Sequence, residues 1–328
     1  MIPFKKVKRL VALGLAAVFG ACLILGAQAC GSRENAGKKH YVALITKSTT
    51  SAFWQSVRSG ANAAATEYNL NITFEGPDME EDYETQNEMI AQAVENGAEV
   101  IVFSAVDFNA NAKAIDEAAK AGVKIVVIDS DVNSDQVSSR IGTDNYAAGR
   151  MAGETALKCE EERLHIGIVN YDVNSANGQQ REQGFRQVIE MDPRVDSVIT
   201  INVLSTTEDA RMGTEELLTE HPEINVIATF NEWTSLGVGW AVRGLELRDS
   251  TTVVAFDSNV VSVGMLETGE VDALIVQNPY AMGYLGVETA YQLLNGQKVT
   301  EERDTATTVV TRDTMFNDEC QRILFSFD

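Results

Sequence analysis

Two patterns of hydrophobic and polar residues alternate along almost the whole chain. Short, largely apolar runs recur, for example at 41–45, 100–103, 226–230 and 253–256. Lacking a polar face, they predict strands covered on both sides. Between them lie longer segments with apolar residues at helical spacing. The pattern predicts strands over 41–46, 71–75, 100–104 and 123–129, with helices over 52–68, 84–95 and 109–120. Gly97 and Gly122 stand where glycines end helices. The alternation restarts after 140–144. Strands over 165–169, 198–203, 226–230, 253–257, 273–277 and 306–311 then interleave with helices over 145–158, 178–191, 208–220, 234–243, 260–268 and 281–294, and 312–328 forms a tail. Repeated strand–helix units with short loops argue an α/β fold, with helices on both faces of doubly wound parallel sheets. Two sets of similar size imply two similar lobes. Five prolines and no low-complexity stretch leave no flexible linker, so short crossings must join the lobes.

Composition changes this picture at the surface and at the N-terminus. With 328 residues, 45% hydrophobic and 23% charged, the chain is an ordinary globular protein large enough for two cores. Its formal charge of −22 makes nucleic acid and anionic lipid poor partners, although acidity for solubility accounts for the number equally well. Lys5, Lys6, Lys8 and Arg9 precede an uncharged stretch, 10–27, rich in Leu, Ala and Val. That is the pattern of a secretory signal over 1–29, with an uncleaved anchor as the alternative. The stretch Ala27-Gln28-Ala29-Cys30-Gly31-Ser32 is similar to the lipobox of bacterial lipoproteins, with Ala27 where the usual box has Leu. The resemblance implies a lipidated Cys30 at the mature N-terminus and a polar tether over 30–38. Cys22 competes, but its flank stays hydrophobic. In the body, Cys159 and Cys320 are far apart and neither belongs to a CxxC pattern. No disulfide framework, metal site or cofactor is expected.

Candidate chemistry lies where strands end. The first strand runs into Lys47, Ser48, Thr49, Thr50 and Ser51, and then into Phe53 and Trp54 at a helix start. Later strands run into Asp129-Ser130-Asp131, Asn231-Glu232-Trp233, Asp257-Ser258-Asn259 and Gln277-Asn278-Pro279. Any one of these polar residues suits a helix cap. All of them fall at the carboxyl edge of the sheets, where α/β folds bind ligands. A carboxylate accepts from two hydroxyls, an amide both accepts and donates, and aromatic faces cover C–H surface. Together they predict a convergent site for a small polyol. Arg181 lies early in a helix, where its charge opposes the dipole. It either donates into that site or pairs at the surface with Glu182 or Asp172.

These residues resemble the type I periplasmic binding proteins of sugar ABC transporters, the ribose- and galactose-binding group. The likeness covers about residues 40–312 and rests on ITKSTTSAFWQSVRSGA, IVVIDSD, QREQGF, LLTEHPEINVIATFNEWTSLG, TTVVAFDSN and ALIVQNPYAMGYLGVE, in that order and spacing. It implies that Lys47, Ser51, Phe53, Trp54, Asp129, Ser130, Arg181, Asn231, Asp257 and Gln277 bind the ligand. It also implies a three-crossing hinge near Thr143-Asp144, Gln277-Asn278 and Asp304-Thr305, between lobes 39–143 plus 279–304 and 144–277 plus 306–328. Ser130 stands where ribose binders carry Arg. Lys47 and Asp129-Ser130-Asp131 are similar instead to autoinducer-2-binding relatives, which differ at Phe230-Asn231-Glu232.

The expected function is a monomeric, lipid-anchored receptor outside the cytoplasm. It would capture a monosaccharide or similar polyol and deliver it to an ABC permease, with no covalent chemistry. The alternatives are a sensor read by a membrane histidine kinase or chemoreceptor, and an autoinducer-2-type binder. A LacI-type regulator shares the core but needs an N-terminal helix-turn-helix, and this chain has a signal segment there. A dehydrogenase is disfavoured because KSTTSAF, without GxGxxG, follows the first strand.

Overall fold

The computed structural model describes residues 39–324; the expected signal segment, the tether and Cys30 lie outside them. Two six-stranded sheets form two lobes. The first contains β1 (Tyr41–Ile45), β2 (Asn71–Glu75), β3 (Val100–Phe103), β4 (Lys124–Ile128), β5 (Val137–Gly142) and β11 (Glu302–Asp304). Its order is β11-β5-β4-β3-β1-β2 and every pairing is parallel. The second contains β6 (Leu164–Asn170), β7 (Val195–Asn202), β8 (Val226–Thr229), β9 (Thr252–Phe256), β10 (Ala273–Val276) and β12 (Thr308–Thr311). Its order is β12-β10-β9-β8-β6-β7, with only β12 antiparallel. The two orders coincide when strands are matched along the chain. Thus β1 and β6, and likewise β4 and β9, hold equivalent places in their lobes.

The apolar runs follow from burial on both faces. In β1, Val42 and Leu44 join a core with Val57 and Ala61 of helix α1 (Ala52–Glu67) and Met282 of α9 (Pro279–Leu294). Ala43 and Ile45 point the other way, to Ile90 of α2 (Tyr83–Glu95) and Ile115 of α3 (Ala112–Lys120). The second lobe is built alike, with α4 (Asn145–Ala156) and α5 (Ala176–Ile189) on one face, and α6 (Thr207–Glu220), α7 (Glu232–Gly244) and α8 (Val260–Thr268) on the other. Gly97 and Gly122 follow α2 and α3 with φ of 79° and 94°, the left-handed conformation that glycine adopts without a Cβ penalty.

In each lobe a helix pair is in close contact through glycines. A Cβ on Gly283 of α9 would lie 1.9 Å from the Val57 carbonyl oxygen of α1, and one on Gly60 would lie 2.0 Å from that of Tyr280. In the second lobe, a Cβ on Gly149 of α4 would meet the Arg181 carbonyl oxygen of α5 at 2.0 Å, and one on Gly184 that of Tyr146 at 2.1 Å. The helices can approach this far only because no side chain intervenes. Gly283→Ala should therefore force α1 and α9 apart and lower stability by about 1–3 kcal/mol. Urea unfolding checks this, and an unchanged midpoint would contradict it.

Three elements depart from the sequence pattern. β5, VSSRIG, carries three polar residues in a row, Ser138, Ser139 and Arg140. β11 is only Glu302–Asp304, with all three residues exposed, a charged edge strand recruited late in the chain. Within the expected tail, α10 (Asp318–Leu324) buries Cys320 and Leu324 against the second core. Cys159 and Cys320 are both unpaired.

Candidate functional site

The carboxyl ends of both sheets face each other across a narrow cavity of about 30 Å³, well below the several hundred Å³ of an open ligand pocket, so the lobes must part to admit a sugar. Lys47, Ser51, Phe53, Trp54, Glu80 and Asp129 line it from the first lobe. Tyr171, Asn177, Arg181, Asn231, Glu232, Trp233, Asp257 and Gln277 line it from the second lobe and the crossing. Of the residues expected from sequence, the structure brings together Lys47, Ser51, Phe53, Trp54, Asp129, Arg181, Asn231, Asp257 and Gln277. Ser130 is not among them. Its backbone pairs with Ser104 Oγ and Ala105 N–H at the end of β3, and its buried hydroxyl has no partner.

Asp129 and Asp257 end the equivalent strands β4 and β9, and both adopt left-handed backbone, with φ of 57° and 67°. Asp tolerates this region better than most residues, and such conformations cluster at functional sites. Asp129 accepts from Ser104 Oγ at 2.9 Å and from Asn177 Nδ2 at 3.1 Å. Asp257 accepts from Gln277 Nε2 at 2.7 Å. Burial pushes the Asp257 carboxyl up to about 7, against the lowering effect of the Arg181 guanidinium and the Gln277 amide; the Glu232 and Asp129 carboxylates add to the rise. Burial likewise raises the Tyr171 phenol.

Arg181 is the largest fully buried side chain, 1% exposed. Its Nε donates to Asn145 Oδ1 at 2.8 Å, Nη1 to the Phe230 carbonyl at 2.7 Å, and Nη2 to Gln277 Oε1 at 2.6 Å. The guanidinium lies over the Phe256 ring, 4.8 Å from its centroid, and 3.9 Å from Asp129. Gln277 Oε1 also accepts from Thr143 Oγ1 at 2.8 Å, and Thr305 N–H donates to the Gly142 carbonyl at 2.7 Å. The crossing segments are therefore hydrogen-bonded to one another and, through Gln277, to the cavity.

At the charged end of the cavity, Lys47, Phe53, Trp54 and Asn231 were expected from the sequence, whereas Glu80, Tyr171 and Asn177 were not. Lys47 Nζ donates to Ser175 Oγ at 2.8 Å, lies 3.7 Å from Glu80 and sits over the Tyr171 ring. Glu80 accepts from Trp54 Nε1 at 2.7 Å and from Ser205 Oγ at 3.0 Å, and Asn231 Nδ2 donates to the same Ser205 Oγ at 2.7 Å. Tyr171 donates to Asn177 Oδ1 at 2.7 Å. Phe53 and Trp54 meet edge to face, 4.9 Å apart. Of the residues missed, Glu232 and Trp233 directly follow Asn231, so the strand-end pattern pointed at them. Tyr171 and Asn177 lie in the turn after β6, the counterpart of the Lys47–Trp54 turn after β1. Glu80, in a run of acidic residues after β2, gave no such signal.

The arrangement holds fixed acceptors, donors and aromatic faces, which suits recognition of a hydroxylated ligand. The chain is similar to known binding proteins. The D-ribose/D-allose-binding protein of Pseudomonas aeruginosa is 26% identical over 276 residues, covering 81% of this chain and 86% of that protein. The ribose import binding protein of Escherichia coli is 25% identical over 273 residues, covering 81% and 88%. These relatives are binding proteins, not enzymes. A carbohydrate transporter solute-binding protein from Agrobacterium radiobacter, solved with D-arabinose, superposes with a TM-score of 0.84 at 30% identity, covering 87% of this chain and 99% of that one. An ABC transporter solute-binding protein from Agrobacterium vitis, solved with D-fucose, gives 0.84 at 28% identity, covering 87% and 100%. The model of the periplasmic binding protein domain matches residues 42–298, and the chain belongs to that family.

Proposed function

We propose that this protein is the extracytoplasmic substrate-binding component of an ABC transporter, taking a monosaccharide or comparable polyol between its lobes and delivering it to a membrane permease. The observation that carries this reading is the cavity itself: carboxylates, amides, a lysine and a buried guanidinium converge from both lobes beside Phe53 and Trp54. Relatives named for ribose and allose, and neighbours solved with D-arabinose and D-fucose, support a sugar. The bodies that move are 39–143 plus 279–304 and 144–277 plus 306–328. A ligand gripped by both stabilises the closed form, which the permease reads. Cys30 carries the lipid that holds the protein at the outer face of the membrane.

A thermal-shift screen of the mature protein tests the reading, because a ligand that binds only the folded state raises the melting temperature. At 100 times its dissociation constant a sugar adds about 2.7 kcal/mol. At least one pentose or hexose should raise the midpoint by several degrees, and no shift with any sugar would count against it.

A further inference from the structure

The first turn of α1 has backbone N–H groups that its own lobe does not satisfy. Ser51 Oγ accepts from Trp54 N at 3.2 Å and the Ser51 carbonyl from Gln55 N at 3.0 Å. The N–H groups of Ala52 and Phe53 instead donate to Glu232 of the other lobe, Ala52 to Oε1 at 3.2 Å and Phe53 to Oε2 at 2.9 Å. Glu232 is itself fixed, since Asn259 Nδ2 donates to its Oε1 at 2.8 Å, and it is buried. A carboxylate at a helix N-terminus satisfies orphaned donors and complements the dipole. Here the two parts of that cap belong to different lobes.

We propose that Glu232 is a positioning residue that latches the lobes shut: its carboxylate caps α1 only in the closed form and biases the ligand-free protein toward closure. The inference rests on the reading of the cavity as a ligand site between moving lobes. Its placement couples the latch to recognition. Glu232 follows Asn231, and the amide it holds belongs to Phe53, both of which line the cavity. When the lobes part, both N–H groups and the carboxylate must be hydrated separately, so the latch slows opening more than it speeds encounter.

Two variants test this. Glu232→Gln keeps the shape but turns one acceptor into a donor facing donors. Asn259→Asp keeps the cap of α8, since Asn259 Oδ1 accepts from Val261 N and Ser262 N, yet sets a carboxylate against Glu232. Small-angle X-ray scattering of the ligand-free proteins should show a larger radius of gyration for both variants than for wild type. With D-ribose as probe and Trp fluorescence as readout, Asn259→Asp, at a residue that does not line the cavity, should release about tenfold faster, and its association should not slow because its open form is more populated. Identical scattering from wild type and both variants would overturn the latch, as would an unchanged release rate. Absence of any sugar binding by wild type would instead count against the ligand reading, and the scattering comparison would still decide the latch.

Discussion

Replacing Arg181 by alanine should abolish ligand binding and cost about 3–5 kcal/mol of stability, the typical effect of removing one partner from a buried charged network. For a body of this size that is roughly a 10 °C fall in the melting temperature. The guanidinium uses three donors on Asn145, Phe230 and Gln277 and covers the Phe256 ring. Without it, the Phe230 carbonyl and the Gln277 oxygen lose their charged donor, and Asp129 and Asp257 lose the cation that sits near both. Arg181→Lys should recover only part of either effect, because an ammonium lacks the planar fork that reaches three partners. Thermal melts without ligand, followed by calorimetry, check this. A variant that melts like wild type would contradict the network.

Asp257→Asn should separate binding from stability. Asn tolerates the left-handed backbone at this position, so the fold should survive. What disappears is a carboxylate able to accept from ligand hydroxyls, worth about 1.5–3 kcal/mol, or roughly 10- to 100-fold in affinity. Stability should hold or rise slightly near neutral pH. The Asp257 carboxyl stands raised from 3.8 to about 7 in the folded protein. Between those values the folded state keeps a proton that the unfolded chain has lost. Its contribution to stability is therefore fully present below about 4 and is lost as pH rises through about 7. Burial sets this rise; Arg181 and Gln277 oppose it, and Glu232 and Asp129 add to it. Hydroxyls donating to Asp257 favour its charged form, so binding should release a proton and strengthen as pH rises from about 6 to 8. Calorimetry in buffers of different ionisation heat reads that proton. Proton uptake by wild type, or the same pH slope in the variant, would contradict the assignment.

The expectation of two doubly wound lobes came from central strands such as β1, β4 and β9, whose two buried faces leave continuous apolar runs. β5 and β11 were hidden for the opposite reason: one is interrupted by Ser138-Ser139-Arg140 and the other is an exposed edge, paired only after the chain returns from the second lobe. At the cavity, Asp129, Asn231, Asp257 and Gln277 were legible because each ends an apolar strand abruptly. Tyr171 and Asn177 sit in a turn whose role shows only when β6 is matched to β1. Glu80 follows β2, a weakly apolar edge strand, and its burial against Trp54 and Ser205 depends on the other lobe. Residues read from strand ends, Lys47 and Asp129 among them, were recoverable; Glu80, whose burial depends on the other lobe, was not.

The central claim is that the space between the lobes takes a sugar. Isothermal calorimetry of the mature protein across pentoses, hexoses, polyols and autoinducer-2 tests it most directly. The account predicts that at least one pentose or hexose binds one-to-one with a dissociation constant of about 1 μM or tighter, a standard free energy of about −8.2 kcal/mol. Silence across the whole panel would contradict it.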